Sequence, residues 1–123
     1  MDLEQQLQKQ FGEVFVHSEK MLAESKVRVD FYIYTPDGNF AVDIFYPDTM
    51  RTLQSNVNIK AKKYEFHTAQ IYLVSANSSI SQEYLNRYSD SKNIPLHSNV
   101  TLVSLENFLG LIKNMSKYPN PLL

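Results

Sequence analysis

Apolar residues at four-residue steps open the chain. Leu3, Leu7 and Phe11, with acidic residues early and Gly12 after them, predict an amphipathic helix over Asp2 to Phe11. The β-branched stretch Glu13 to His17 then predicts a strand, although Leu22 would also prolong a helical stripe through Ser18. Val27 to Tyr34 alternates with period two, placing Val29, Phe31 and Ile33 on one side and Arg28, Asp30, Tyr32 and Tyr34 on the other. Pro36-Asp37-Gly38-Asn39 has turn chemistry and Phe40 to Tyr46 resumes as a strand, so a hairpin is predicted, ended by Pro47-Asp48. From Ser55 to about His67, Val57, Ala61 and Tyr64 share one helical face, with Lys60, Lys63 and His67 towards another. Ile71 to Val74 is a nearly continuous apolar run, the mark of a strand covered on both faces. Ser79 with Gln82 reads as a capping box for a short helix to about Tyr88, and a polar linker containing Pro95 follows. Val100 to Val103 is the last strand. Ser104 caps a helix striped by Leu105, Phe108, Leu109, Ile112 and Met115, and Pro119 and Pro121 close the ordered chain.

The resulting order, α-β-β-β-α-β-α-β-α, is a meander that passes into strand-helix alternation. It predicts an α/β class, with a mixed central sheet flanked by helices. A length of 123 residues suits one domain over residues 1–123, with 116–123 as a loose tail. Fifteen aromatic residues argue against disorder, and no apolar run approaches a membrane span, so no membrane partner is expected. Met1 to Gln10 alternate charge and amide, unlike a secretory signal, and a cytoplasmic location is expected. With no cysteine and only His17, His67 and His97, scattered, thiolate chemistry and zinc-type spacing drop out; any metal would be bound through oxygen. A net charge of −1 supplies no global attraction for polyanions, so a DNA partner would need a local basic face.

The chemistry concentrates in the hairpin. A turn of about six residues, Tyr34 to Asn39, places Asp30 opposite Asp43 with Cβ atoms roughly 5 Å apart. Like charges opposed in this way destabilise a sheet unless a cation lies between them or one is solvated. Mg2+ (or Mn2+) suits such a pair, since it takes a few carboxylates and fills its remaining positions with water and phosphate oxygen.

The segments Arg28-Val-Asp-Phe-Tyr-Ile33 and Phe40-Ala-Val-Asp-Ile-Phe-Tyr46, set between helices, resemble the hairpin of PD-(D/E)XK (restriction endonuclease-like) nucleases. In that family an acidic residue of the first helix, an Asp of the second strand and an acidic-x-Lys triplet of the third build one metal site. The resemblance implies Glu4, Asp30 and Asp43 for these positions, with Asp30 and Asp43 holding the metal and Glu4 orienting water. It also implies a lysine two residues after Asp43, where this chain has Phe45; the alternative alignment on Ala41-Val42-Asp43 keeps Asp43 and puts Ala41 at the acidic partner. Lys60 or Lys63, from the following helix, is the candidate replacement.

Each of these residues also has a plainer reading. Asp30 can line a solvated edge, Asp43 can be a paired carboxylate in an apolar strand, and Lys60, Lys62 and Lys63 can be a solvated helix face. Glu4 can complement its helix dipole, His67 can cap a helix end, and Tyr32, Tyr34, Tyr46, Tyr64 and Phe45 read as structural. Two functions therefore stand side by side: a metal-dependent DNA endonuclease, and a non-catalytic module of the same fold that binds nucleic acid or a protein. A third reading is one domain of a larger restriction- or mobile-element-type protein, and the partners to expect are DNA, a larger protein or a second copy in a homodimer.

Overall fold

The computed structural model describes residues 2–22, 27–65, 67, 69–90 and 96–119. Helix α1 (Leu3–Phe11) starts at Asp2, whose carboxylate accepts the Glu4 N–H at 3.2 Å, and stops at Gly12, where φ is +93°. A 3-10 turn (Glu13–Phe15) leads into strands β1 (Val16–Ser18), β2 (Met21–Leu22), β3 (Val27–Arg28), β4 (Phe31–Ile33) and β5 (Phe40–Phe45). Then come α2 (Met50–Lys63), β6 (Gln70–Ser75), α3 (Gln82–Asp90), β7 (Val100–Ser104) and α4 (Leu105–Lys113). With β1 and β2 as one hairpin arm and β3 and β4 as the other, this is the order read from the sequence.

The main sheet runs β1-β4-β5-β6-β7. β1, β4 and β5 are antiparallel neighbours, while β5, β6 and β7 are parallel. The fold is thus α/β, with a mixed five-stranded sheet and helices on both faces. One face packs Leu53, Val57 and Tyr64 of α2 and Leu85 of α3 on Ala41, Phe45, Ile71 and Leu73. The other packs Leu3, Leu7 and Phe11 of α1 and Phe108 and Ile112 of α4 on Phe31, Ile33, Phe40, Val42 and Val74. Burial on two sides is why β6 has lost its alternation. Among the described residues no helix is long and apolar enough to cross a membrane.

Several boundaries differ from the sequence reading. The hairpin arms hold one register from Val16↔Ile33 to Leu22↔Val27, yet the ladder breaks midway, at Glu19, whose φ is +51°. There the Glu19 N–H reaches the Asp30 carbonyl at 2.7 Å and the Val29 N–H reaches the Lys20 carbonyl at 2.9 Å. A residue in the left-handed region upsets the alternate pointing of side chains, as a bulge does. Val29, expected beside Phe31 and Ile33, therefore joins the α2-side core while they stay on the α1 side.

Helix α2 begins at Met50, not Ser55, because Thr49 accepts the Thr52 N–H at 3.2 Å and Thr52 accepts the Thr49 N–H at 2.8 Å. This reciprocal cap uses Thr where the usual pattern has Glu or Gln. The helix closes at Lys63, so His67 lies beyond it. Ser81 caps α3, accepting the Tyr84 N–H at 3.1 Å, whereas the Ser79 N–H is bound to Asn77. Gln82 instead accepts the Ser104 N–H at 2.7 Å and ties α3 to β7. Of the expected tail, residues 116–119 carry no regular element, but Tyr118 stacks on Phe15 with centroids 5.0 Å apart. Pro95, Pro121 and the remainder of the tail lie outside the described residues.

Phe108, fully buried on the α1 side, and Ser104, which caps α4 through the Asn107 N–H at 3.2 Å, separate core from cap energetics. Phe108→Ala should cost about 3–5 kcal/mol, and Ser104→Ala about 1 kcal/mol. Urea unfolding reads both; equal losses would contradict this layering of the core.

Candidate active site

The β4–β5 register, Ile33↔Phe40, Tyr32↔Ala41 and Phe31↔Val42, makes Asp30 and Asp43 the next opposed pair. The turn over residues 34–39 has the length that the sequence suggested. β4 itself begins only at Phe31, and Asp30 sits at the bend just before it. Its Oδ2 accepts the Ile44 N–H at 2.7 Å. A side chain thereby satisfies a backbone donor that the bend leaves unpaired. That bond pins Asp30 beside β5.

Asp43 shares a sheet face with Ala41 and Phe45 and is 4% exposed beneath α2. Lys60, Lys63 and Tyr64 lie three and four residues apart, on one helical face turned to that strand. All of them converge on Asp43 Oδ2: Lys60 Nζ at 2.8 Å, Lys63 Nζ at 3.4 Å and the Tyr64 hydroxyl at 2.6 Å. The Lys60 ammonium also lies 5.9 Å from the centroid of the Phe45 ring. The structure thus brings together Asp30, Asp43, Lys60 and Lys63, and adds Tyr64, which the sequence presented only as a core residue. The signal for Tyr64 was its spacing, four residues beyond Lys60 and next to Lys63.

Glu4 is not drawn into this group. It accepts from Gln8 at 3.4 Å and, with Asp30, Glu19 and Ile44, lines an open depression of about 550 Å3 on the α1 side. His67 lies edge-on to the Tyr64 ring, centroids 5.9 Å apart. Among the described residues no three Asp, Glu or His side chains are grouped so as to hold a metal.

The two carboxyls are electrostatically unequal. Burial raises Asp30 above the ordinary carboxylate value; the Ile44 N–H opposes this, and the hydrogen bond and negative charge of Asp43 reinforce it. Burial acts on Asp43 in the same sense, but hydrogen bonds from Lys60, Tyr64 and Asp30 outweigh it and hold this carboxyl low. The pair therefore takes one proton preferentially on Asp30, as opposed carboxyls do. Burial, followed by the bond to Asp43 and the charges of both carboxylates, pushes the Tyr64 phenol far up, so it serves as a donor.

These donors are carboxylate oxygens, and Asp30 opens onto a depression with room for solvent. That chemistry suits a small hard cation which keeps most of its water. A divalent ion would compete with protonation of Asp30, the carboxyl that burial raises.

No protein-family model matches the chain, and no curated protein or solved structure matches it.

The inequality fixes the sign of a pH effect. A carboxyl raised in the fold favours folding when protonated, and that contribution is lost as pH rises through the raised value. Asp43 behaves oppositely: its contribution is present above the ordinary value of 3.8 and fades as pH falls through its lowered one. Asp30→Asn, which keeps an acceptor for Ile44 and a donor for Asp43, should raise the melting temperature at neutral pH. The gain should shrink as pH falls towards 3.8. Calorimetry across pH tests this, and a lower melting temperature at neutral pH would contradict it.

Proposed function

We propose that the chain is a PD-(D/E)XK-like nuclease domain that hydrolyses phosphodiester bonds of DNA with Mg2+ or Mn2+, its strand lysine replaced by Lys60 of α2. One observation carries this reading. Phe45 projects from the same face as Asp43, at the position where the resemblance calls for lysine, and the Lys60 ammonium lies over that ring while bonded to Asp43 at 2.8 Å. A cation from the helix thus occupies the space that a lysine at position 45 would serve. The order of elements supports the same reading: a helix, a meander bearing Asp30 and Asp43 on adjacent strands, then α2 and a parallel strand.

Asp30 and Asp43 would hold the ion. Bound there, it supplies Lewis-acid neutralisation of the charge that develops on the phosphodiester. Lys60 and Tyr64 hold Asp43 in its charged form, and Lys63 at 3.4 Å helps to fix it in place. Lys60, one hydrogen bond from that carboxylate, donates to phosphate oxygen as negative charge grows, a role in which a single positioned donor contributes about 10²–10³ in rate. Asp30, the more easily protonated of the pair, would release its proton to solvent in the depression on holding the ion. Glu4, at the rim of that depression, is placed to order water.

The second reading, a non-catalytic module that binds DNA or a protein, has its own observation. Asp43 Oδ2 already has three donors, as a carboxylate kept only to brace α2 against the sheet would. Supercoiled plasmid separates the two. The nuclease reading expects nicking or linearisation with Mg2+ or Mn2+, none with EDTA, and loss of cleavage in Asp30→Ala and Asp43→Ala. Unchanged cleavage in both variants would overturn it, and no cleavage together with no Mn2+ heat in calorimetry would leave the module reading. Because the ion competes with a proton, Mn2+ affinity should rise with pH through the elevated titration of Asp30.

A further inference from the structure

The α2-facing side of the outer strands carries a second group of side chains, beside the carboxylate pair. Tyr32 is paired with Ala41 and packs against the α2-side core, so it points to the side of Asp43; Tyr34 follows it two residues on. His17 is paired with Tyr32 across β1 and β4. The rings of Tyr32 and Tyr34 meet edge to face at 5.2 Å and 76°, and those of His17 and Tyr34 at 5.1 Å and 66°. Strict alternation would place Lys20, three residues after His17, on the other face of the sheet. The left-handed Glu19 removes that constraint, and the Lys20 ammonium lies 5.4 Å from the Tyr32 ring centroid and 2.7 Å from the Tyr34 hydroxyl.

Among the described residues no carboxylate pairs with the charge there: Lys20 makes no ion pair, unlike Lys60, Lys63 and Arg87. Its contacts are the Tyr34 phenol and the Tyr32 ring, and the neighbouring Glu19 is exposed. Tyr32, Tyr34 and Lys20 are half-buried and His17 is exposed, so the rings are held by packing yet accessible at their edge. A cation without a carboxylate, set among ordered aromatic rings, matches a ligand that has both a flat π surface and a negative charge. A nucleotide in an unpaired strand has both. A duplex has only the charge, because its base faces are stacked.

We propose that Lys20, Tyr32 and Tyr34, with His17 at the rim, form a platform that stacks a base and binds a phosphate of single-stranded DNA, delivering that strand to Asp30 and Asp43. This names the substrate class for the nuclease reading and rests on it. Tyr32 is two residues from Asp30, roughly 7 Å along the chain, and Asp30 opens on the α1 side in a depression bounded by Glu19, the residue before Lys20, so the DNA strand would pass round that edge to the carboxylates. Stacking on aromatic side chains is indifferent to base identity and is worth about 1–3 kcal/mol per base.

Fluorescence anisotropy in EDTA, with a labelled thymidine oligonucleotide and a duplex of equal length, tests the platform without any cleavage. The single strand should bind more tightly than the duplex. Tyr34→Ala should weaken single-strand binding by about 5- to 150-fold and leave duplex binding unchanged, and Tyr34→Phe, which keeps the ring, should restore it. Lys20→Gln should weaken binding and reduce the slope of log affinity against log salt by about one. Tyr32 also packs on the core, so the Tyr34 and Lys20 variants, with their melting temperatures measured alongside, are the ones to use. Equal affinity for the two DNAs, or a Tyr34→Ala variant that binds as the parent does, overturns the proposal. Intact single-strand preference in a protein that never cleaves counts against the nuclease reading and leaves the platform standing.

Discussion

A carboxylate buried in the middle of a sheet constrains everything packed around it. Asp43 is on β5, with β4 on one side and β6 on the other, and α2 across its face. An isolated charge there would cost several kcal/mol, and breaking a buried pair typically costs about 3–5 kcal/mol. Compensation comes from α2, whose Lys60, Lys63 and Tyr64 reach Asp43 Oδ2 at 2.8, 3.4 and 2.6 Å. Those side chains meet one oxygen only if the helix lies at a single depth and rotation against the sheet. The same rotation buries Leu53 and Val57, so the polar and apolar demands on α2 agree.

Asp30 enters through a different constraint. The irregularity at Glu19 lies opposite Asp30, so β4 begins only at Phe31 and the Asp30 side chain turns towards β5, where the Ile44 N–H holds it. One backbone irregularity therefore sets three things: the position of the second carboxylate, the transfer of Val29 to the α2-side core, and the placing of Lys20 beside Tyr32 and Tyr34. A regular hairpin of the same sequence would put Lys20 on the face opposite Tyr32 and Tyr34 and Val29 on the face of Phe31 and Ile33.

Much of this is legible in the chain. The order of elements, the two-sided burial of Ile71 to Val74, the stripe on α4 and the pairing that opposes Asp30 to Asp43 follow from periodicity and turn length. What is not legible depends on a single dihedral or on a cap. Nothing in the composition of residues 16–33 marks Glu19 as left-handed, and alternation alone therefore misplaces Val29. Thr49 and Thr52 form a cap without the usual Glu or Gln, which hides the first turn of α2. Lys60 and Lys63 could be named from the sequence as candidates, but their reach to Asp43 depends on helix rotation, which periodicity gives only approximately. Tyr64, apolar by pattern, looks like pure core until its hydroxyl is located on Asp43. Glu4 was assigned by resemblance, and its helix carries it to the rim of a depression rather than into the pair.

The proposal that Lys60 does the work of an absent strand lysine can be tested by moving the lysine back. Single-turnover cleavage of plasmid with Mn2+ would be compared in the parent protein, in Lys60→Ala, and in Lys60→Ala combined with Phe45→Lys, with melting temperatures measured for each. Phe45 is on the face of Asp43, and the Lys60 ammonium already lies 5.9 Å from its ring, so a lysine there can reach the same carboxylate. Lys60→Ala should lower the rate by about 10²–10³, and the double variant should recover most of it. A Lys60→Ala protein that is less stable but cleaves at the parent rate would contradict the proposal.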